Sequence, residues 1–202
     1  MNKIKAVIFD YGNVLVNVER EKICKRLARH SPLSPDEIAS KLFGSDLEYD
    51  SETGKYDSRE FFKRIKERIH GDENWTYNQF RVEYRNGFSF NREGLKAFRI
   101  ASAKKRTFIL SNTNYLHSLW LYEHEELVLL PEQHIFSFKV GVMKPNPKIW
   151  QILLKRADLK AEECVYIDDV EAFCQAAEKL GFSTIHYVKG KVNLIEELNK
   201  FL

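Results

Sequence analysis

Ala6-Val7-Ile8-Phe9-Asp10-Tyr11-Gly12-Asn13-Val14-Leu15-Val16 is where the reading of this chain begins. Val7 to Phe9 is a run of β-formers without polar interruption, the pattern of a strand buried on both faces in a parallel sheet. The run ends in Asp10, and Gly12 and Asn13, residue types that let a chain turn sharply, come directly after. In open parallel α/β sheets, ligands bind beyond the carboxyl ends of the strands. Asp10 is therefore either a carboxylate presented to a site by a rigid strand or an Asp that caps the next helix. The stretch alone leaves both readings open.

The bulk numbers narrow the class. A chain of 202 residues, 44% hydrophobic and 30% charged, has the composition of a folded globular protein with room for one domain and a sizeable insertion. No segment approaches the ~20 apolar residues of a membrane helix, so no membrane partner is expected. Met1 to Lys5 runs straight into the strand without an apolar signal core, and the expected location is cytoplasmic. Cys24, Cys164 and Cys174 are odd in number and far apart, which fits small buried hydrophobes in a reducing compartment rather than disulfides or zinc. The net charge of +3 is spread evenly, and its one cluster, Lys104-Lys105-Arg106, reads as a solvated strand entry. That argues against a nucleic-acid partner.

Along the chain, Val18 to Arg29 reads as an amphipathic helix. Ser34-Pro35-Asp36-Glu37 opens another, running to about Phe43. Gly44 to Gly54 reads as a polar connection, and helices follow from Ser58 and from about Thr76. Residues 17–88 thus form a helical block without a convincing strand. From Asn91 the texture alternates. Strands are expected at Thr107–Leu110, Ile135–Phe138, Val165–Ile167 and Ser183–Val188. Helices are expected at Glu93–Ala103, Leu116–Leu121, Ile149–Arg156, Ala172–Leu180 and Leu194–Phe201. The expected architecture is an α/β, Rossmann-like, doubly wound parallel sheet of three layers, residues 1–16 and 89–202, with residues 17–88 inserted as a helical domain beside Asp10.

Polar groups collect at the strand ends: Asp10, Ser111, Lys144, and Asp168 with Asp169. In a parallel sheet these ends share one edge. Three carboxylates there repel one another unless a cation sits among them, and an all-oxygen donor set suits Mg²⁺. A Lys and a Ser hydroxyl nearby can hold phosphoryl oxygens, with Asp10 placed as nucleophile.

At this point the chain resembles the haloacid dehalogenase (HAD) superfamily over essentially its whole length. Phe9-Asp10-Tyr11-Gly12-Asn13 resembles the nucleophile motif and Leu110-Ser111-Asn112-Thr113-Asn114 the phosphate-binding one. Lys144 in Gly141-Val142-Met143-Lys144-Pro145 resembles the family Lys, and Ile167-Asp168-Asp169 the metal-binding acidic pair. Asp-x-Gly-Asn together with Ser-Asn-Thr-Asn is similar to a subgroup near the bacterial α-D-glucose-1-phosphate phosphatases. The resemblance implies a cap formed by residues 17–88 and a Mg²⁺ held by Asp10, the Gly12 carbonyl, Asp169 and Asp168. It also implies a phosphoryl group held by Ser111, Asn112 and Lys144. The expected activity is Mg²⁺-dependent hydrolysis of a small phosphorylated metabolite, with sugar phosphates as the leading class, through an aspartyl-phosphate.

Two departures qualify that expectation. Gly12 stands where most phosphatases of the family carry a second Asp as general acid and base, a contribution typically of ~10²–10⁴. The expected consequence is a preference for leaving groups that need little protonation. Val170 and Phe173 follow the acidic pair where relatives carry Asn, which favours Asp169 as the direct ligand and Asp168 as one acting through water. Two rivals remain: a non-catalytic protein that keeps the fold and binds a ligand or partner, and a metal-free 2-haloacid dehalogenase. Asp168-Asp169 argues against the second. Asn13 reads as a turn residue, and His117 and His124 as helix-packing residues, with His117 close enough to Ser111 to reach a substrate edge. The polar 46–56 connection, with Glu48, Tyr49 and Lys55, fits substrate-reading groups of a closing cap and plain exposed-loop composition equally well, so it names no specificity residue.

Overall fold

The computed structural model describes residues 4–202. The chain begins with β1 (Ala6–Phe9) and β2 (Val16–Val18), then enters five helices. These are α1 (Arg20–Leu27), α2 (Pro35–Leu42), α3 (Asp46–Glu52), α4 (Ser58–Arg68) and α5 (Tyr77–Arg85). It returns through β3 (Phe88–Phe90), α6 (Arg92–Ser102), β4 (Arg106–Ser111), α7 (Tyr115–Tyr122), α8 (Glu125–Leu129) and β5 (Gln133–Phe136). The last part comprises α9 (Ser137–Val140), α10 (Lys148–Ala157), β6 (Cys164–Asp168), α11 (Glu171–Glu178), β7 (Ser183–His186) and α12 (Leu194–Asn199).

Five strands form one parallel sheet in the order β5-β4-β1-β6-β7, with β1 at its centre. The uninterrupted apolar run of β1 has its cause here. Val7 and Phe9 face one core, with Ile109, Val165, Ile167 and the apolar sides of α6 and α12. Ala6 and Ile8 face the other, with Phe108, Leu110, Tyr166 and α10. Side chains alternate across a strand, so a strand covered by helices on both sides must be apolar at every position. The register aligns Phe9 with Ile109 on one side and Ile167 on the other. Asp10 and Asp168 therefore leave the sheet side by side, each one residue further on.

The helices between β2 and β3 enclose a third apolar cluster of their own, built on Ile23, Leu27, Ile38, Phe61, Ile65, Trp75, Phe80 and Tyr84. Their starts follow the sequence signals. Ser34 and Glu37 make a reciprocal capping box at α2, and Thr76 and Gln79 make one at α5. The block is not purely helical, however. Val16–Val18 pairs antiparallel with Phe88–Phe90, so the two chain crossings into the block are tied together as a ribbon. Val18, expected on the apolar side of a helix, lies in that ribbon instead. The expected 44–54 connection contains α3, capped by Ser45, whose hydroxyl accepts from the Glu48 amide. The expected strand Ile135–Phe138 ends at Phe136, and Ser137–Val140 turns into α9. All three cysteines are buried and unpaired. Among the described residues no helix is long and apolar enough to cross a membrane.

Candidate active site

The carboxyl edge of the sheet gathers the polar strand ends. Asp10, Asp168 and Asp169 bring one carboxylate oxygen each to within 4.8 Å of one another. Asp10 is fixed by its backbone N–H, which donates to the Ile167 carbonyl across the sheet at 2.8 Å. Asp168 is wholly buried. Its Oδ1 accepts from the Val170 amide at 2.8 Å, and its Oδ2 accepts from the Tyr166 hydroxyl, which stands two residues back on the same strand face. Asp169 is partly exposed, and its Oδ2 accepts from Asn13 Nδ2 at 3.1 Å. Asn13 is indeed a turn residue, at φ 55, and its side chain also orients Asp169. Its Oδ1 accepts from the Val18 amide. Both oxygens of Asp168 are engaged by protein donors, whereas Asp169 is partly exposed.

Lys144 sits among the carboxylates, 2% exposed, with Nζ 2.7 Å from Asp10 Oδ1 and 2.6 Å from Asp168 Oδ2. Burial alone would lower its pKa, but the two carboxylates outweigh that and hold it above the ordinary lysine value. Burial, with Asp168 and Asp169 alongside, pushes the Asp10 carboxyl up to about 7 even against the opposing pull of Lys144. Burial likewise raises Asp169. Only with all three carboxylates ionised does one ammonium among them leave an excess of two negative charges, and it is that state which the burial resists.

The second rim loop is pinned on both sides. Ser137 Oγ accepts from the Thr113 amide at 2.9 Å and donates to the Thr113 carbonyl at 3.1 Å. Asn112 Oδ1 accepts from the Lys144 amide at 2.7 Å, and its Nδ2 donates to the Lys144 carbonyl at 2.9 Å. The Asn112 amide is therefore engaged with the Lys144 main chain through its oxygen and one N–H. Ser111, at the end of β4, is 1% exposed and opens on the same space.

That space is a cavity of about 300 Å³ closed partly by the inserted helices. Asp10, Gly12, Ser111, Lys144 and Asp169 line it from the sheet, and Arg20, Phe43, Glu48 and Glu52 from the insertion. His117 and Phe88 line its side. His117 is stacked on Tyr84 with ring centroids 5.1 Å apart, as expected of a packing residue, yet one face opens on the cavity. Burial, with repulsion from Arg20, lowers its pKa to about 3, so the ring is neutral. Of the three residues singled out in the 46–56 stretch, only Glu48 reaches the cavity. Tyr49 is exposed, and Lys55 pairs with Asp50. Glu52 carried no sequence signal, because its place depends on how α3 packs.

A sequence profile of the haloacid dehalogenase-like hydrolases matches residues 4–181, a span that holds every one of these strand-end groups. The chain belongs to that family. Among its relatives is the D-ribitol-5-phosphate phosphatase of Bacteroides thetaiotaomicron, 24% identical over 93% of each chain. The fold is shared with a HAD family enzyme from Bacteroides thetaiotaomicron solved with magnesium and inorganic phosphate, at TM-score 0.81 and 23% identity over 94% of this chain and 96% of that one. A predicted HAD-like hydrolase from Porphyromonas gingivalis superposes at TM-score 0.83, with 27% identity over 98% and 97% of the two chains. As a HAD hydrolase the chain meets the requirement for a divalent cation on its own geometry. The donors are carboxylate oxygens, and their spacing suits one small ion.

Proposed function

We propose that this HAD hydrolase is a Mg²⁺-dependent phosphatase of a small phosphorylated metabolite, with sugar and polyol phosphates as the substrate class. The observation that carries the reading is the buried cluster of Asp10, Asp168 and Asp169 around Lys144, facing a cavity of metabolite size. The relatives' activities support the substrate class. In this reading residues 17–88 act as the cap over the core of 1–16 and 89–202, and the buried, unpaired cysteines favour a cytoplasmic location.

Asp10, the Gly12 carbonyl and Asp169 would hold Mg²⁺, with Asp168 behind them. Bound there, the ion neutralises carboxylate charge and lets Asp10 stay ionised beside a phosphate. Asp10 Oδ2, free of the Lys144 contact, attacks phosphorus. The ester P–O bond breaks as the Asp10–phosphorus bond forms, and water then attacks phosphorus, releasing phosphate and regenerating the carboxylate. Lys144 and Ser111 hold the phosphoryl oxygens and spread their charge through the transfer. Asp168 keeps Lys144 in place, since it shares the ammonium with Asp10.

Phosphate release from a panel of sugar and polyol phosphates, run with Mg²⁺ and again with excess chelator, tests this. The reading expects turnover only with Mg²⁺ and only on small phosphate esters. Turnover of a 2-haloacid with the chelator present, or phosphate binding with no release from any ester, overturns it.

A further inference from the structure

Gly12 removes the side chain that would protonate the leaving oxygen from the core. We infer that the Glu52 carboxyl, brought from α3 of the insertion, is the general acid and base of the reaction in its place. This rests on the phosphatase reading.

Glu52 lines the cavity together with Asp10 and Lys144. Among the described residues no donor bonds its carboxyl and no cation pairs with it, although it is only partly exposed. The charges around it are otherwise engaged. Arg20 of α1 pairs with Glu48, Lys144 with Asp10 and Asp168, Arg68 of α4 with Asp46, and Lys139 of α9 with the Tyr122 hydroxyl. His117 of α7 is neutral, and burial holds the Tyr84 hydroxyl of α5 in its protonated form. Burial first, then repulsion from Glu48, pushes the Glu52 carboxyl up to about 8, with Arg20 and Lys144 pulling the other way. At neutral pH such a group holds a proton and can release it, which is what a general acid requires.

The position of Glu52 is enforced by the turn that follows it. Gly54 has φ +76, and a Cβ there would stand 2.1 Å from the Phe138 carbonyl oxygen. Only glycine lets the end of α3 press this closely on α9 of the core. In-line displacement drives the leaving oxygen away from the attacking Asp10, toward the insertion from which Glu52 projects. As the ester bond breaks, Glu52 gives its proton to the leaving alkoxide, yielding the alcohol and a Glu52 carboxylate. The carboxylate then takes a proton from the water that attacks phosphorus, and ends the cycle protonated.

The experiment compares wild type with Glu52→Gln on a series of phosphate monoesters, from polyol 5-phosphates to p-nitrophenyl phosphate, with Mg²⁺ throughout. The alkyl esters need a proton on the leaving oxygen, and the nitrophenyl ester needs little. The expected result is a fall in kcat/KM of about 100-fold or more on the alkyl esters and of less than about fivefold on p-nitrophenyl phosphate. Gly12→Asp added to Glu52→Gln is expected to restore part of the alkyl-ester rate, since a Cβ at that position meets nothing nearer than 3.6 Å. Equal losses on both ester classes without rescue, or no loss on either, overturn the role of Glu52 while leaving the phosphatase standing. A wild type that releases no phosphate from any ester overturns both.

Discussion

Asn112 grips the main chain of Lys144 from both sides, accepting from its amide at 2.7 Å and donating to its carbonyl at 2.9 Å. The residue after Ser111 is thus the clamp on the main chain that carries the buried ammonium. Asn112→Ala leaves two part-buried main-chain groups without their side-chain partners, a loss of about 1 kcal/mol. It is expected to lower Tm and to lower phosphate affinity, both read by thermal melts with and without inorganic phosphate. An unchanged phosphate-induced shift in Tm would contradict the clamp.

Lys144 offsets carboxylate charge that would otherwise be buried uncompensated. Lys144→Met is expected to destabilise the chelator-treated protein by about 3–5 kcal/mol, the scale for breaking a buried ion pair. Because the variant leaves three carboxylates with no cation, added Mg²⁺ should raise its Tm more than it raises the wild type's. Calorimetric melts in chelator and in Mg²⁺ check both statements.

His117 predicts the form of the acid limb of stability. Its pKa is about 3 folded against 6.5 for the free side chain, so between those values the unfolded chain binds more protons. Stability from this group is therefore present above pH 6.5 and lost as pH falls toward 3, by about 5 kcal/mol in all. His117→Phe preserves the stack on Tyr84 and removes the titration. Its denaturant-unfolding free energy should fall less steeply below pH 6.5 than that of the wild type; parallel curves would contradict the buried neutral ring.

Gly54 tests the placement of α3 independently of Glu52 chemistry. Gly54→Ala puts a side chain against the Phe138 carbonyl at a left-handed backbone position, at a cost of about 1–3 kcal/mol. The expected outcome is a lower kcat on alkyl esters with circular dichroism unchanged, because α3 is displaced while the sheet is not. A variant with wild-type kcat would show that the contact does not govern the site.

What the sequence revealed followed from burial. The runs Ala6–Phe9 in β1, 108–110 in β4 and 164–167 in β6 carry no charged residue because helices cover both faces, and each stops at a polar residue of the cavity edge. Asp10, Ser111, Asp168 and Asp169 were legible for that reason, and Lys144, which lies beyond α9, was legible from its motif before Pro145. The ribbon of Val16–Val18 with Phe88–Phe90 was not, since three residues are too few for a period and Val18 fits a helical one equally well. In α3, Leu47 is the one buried large apolar residue, so the helix left no hydrophobic stripe, only its Ser45 cap. Glu52 was invisible for a different reason. Arg20, Tyr84 and Lys144, whose fields it shares, lie far off in sequence, and packing alone brings them together.

The most direct measurement is steady-state phosphate release from a polyol 5-phosphate by wild type and Asp10→Asn, each with and without Mg²⁺. The account predicts release by wild type with Mg²⁺ and a loss of at least about 10³-fold on replacing Asp10 or removing the ion. Release by Asp10→Asn at a rate near that of wild type would contradict it.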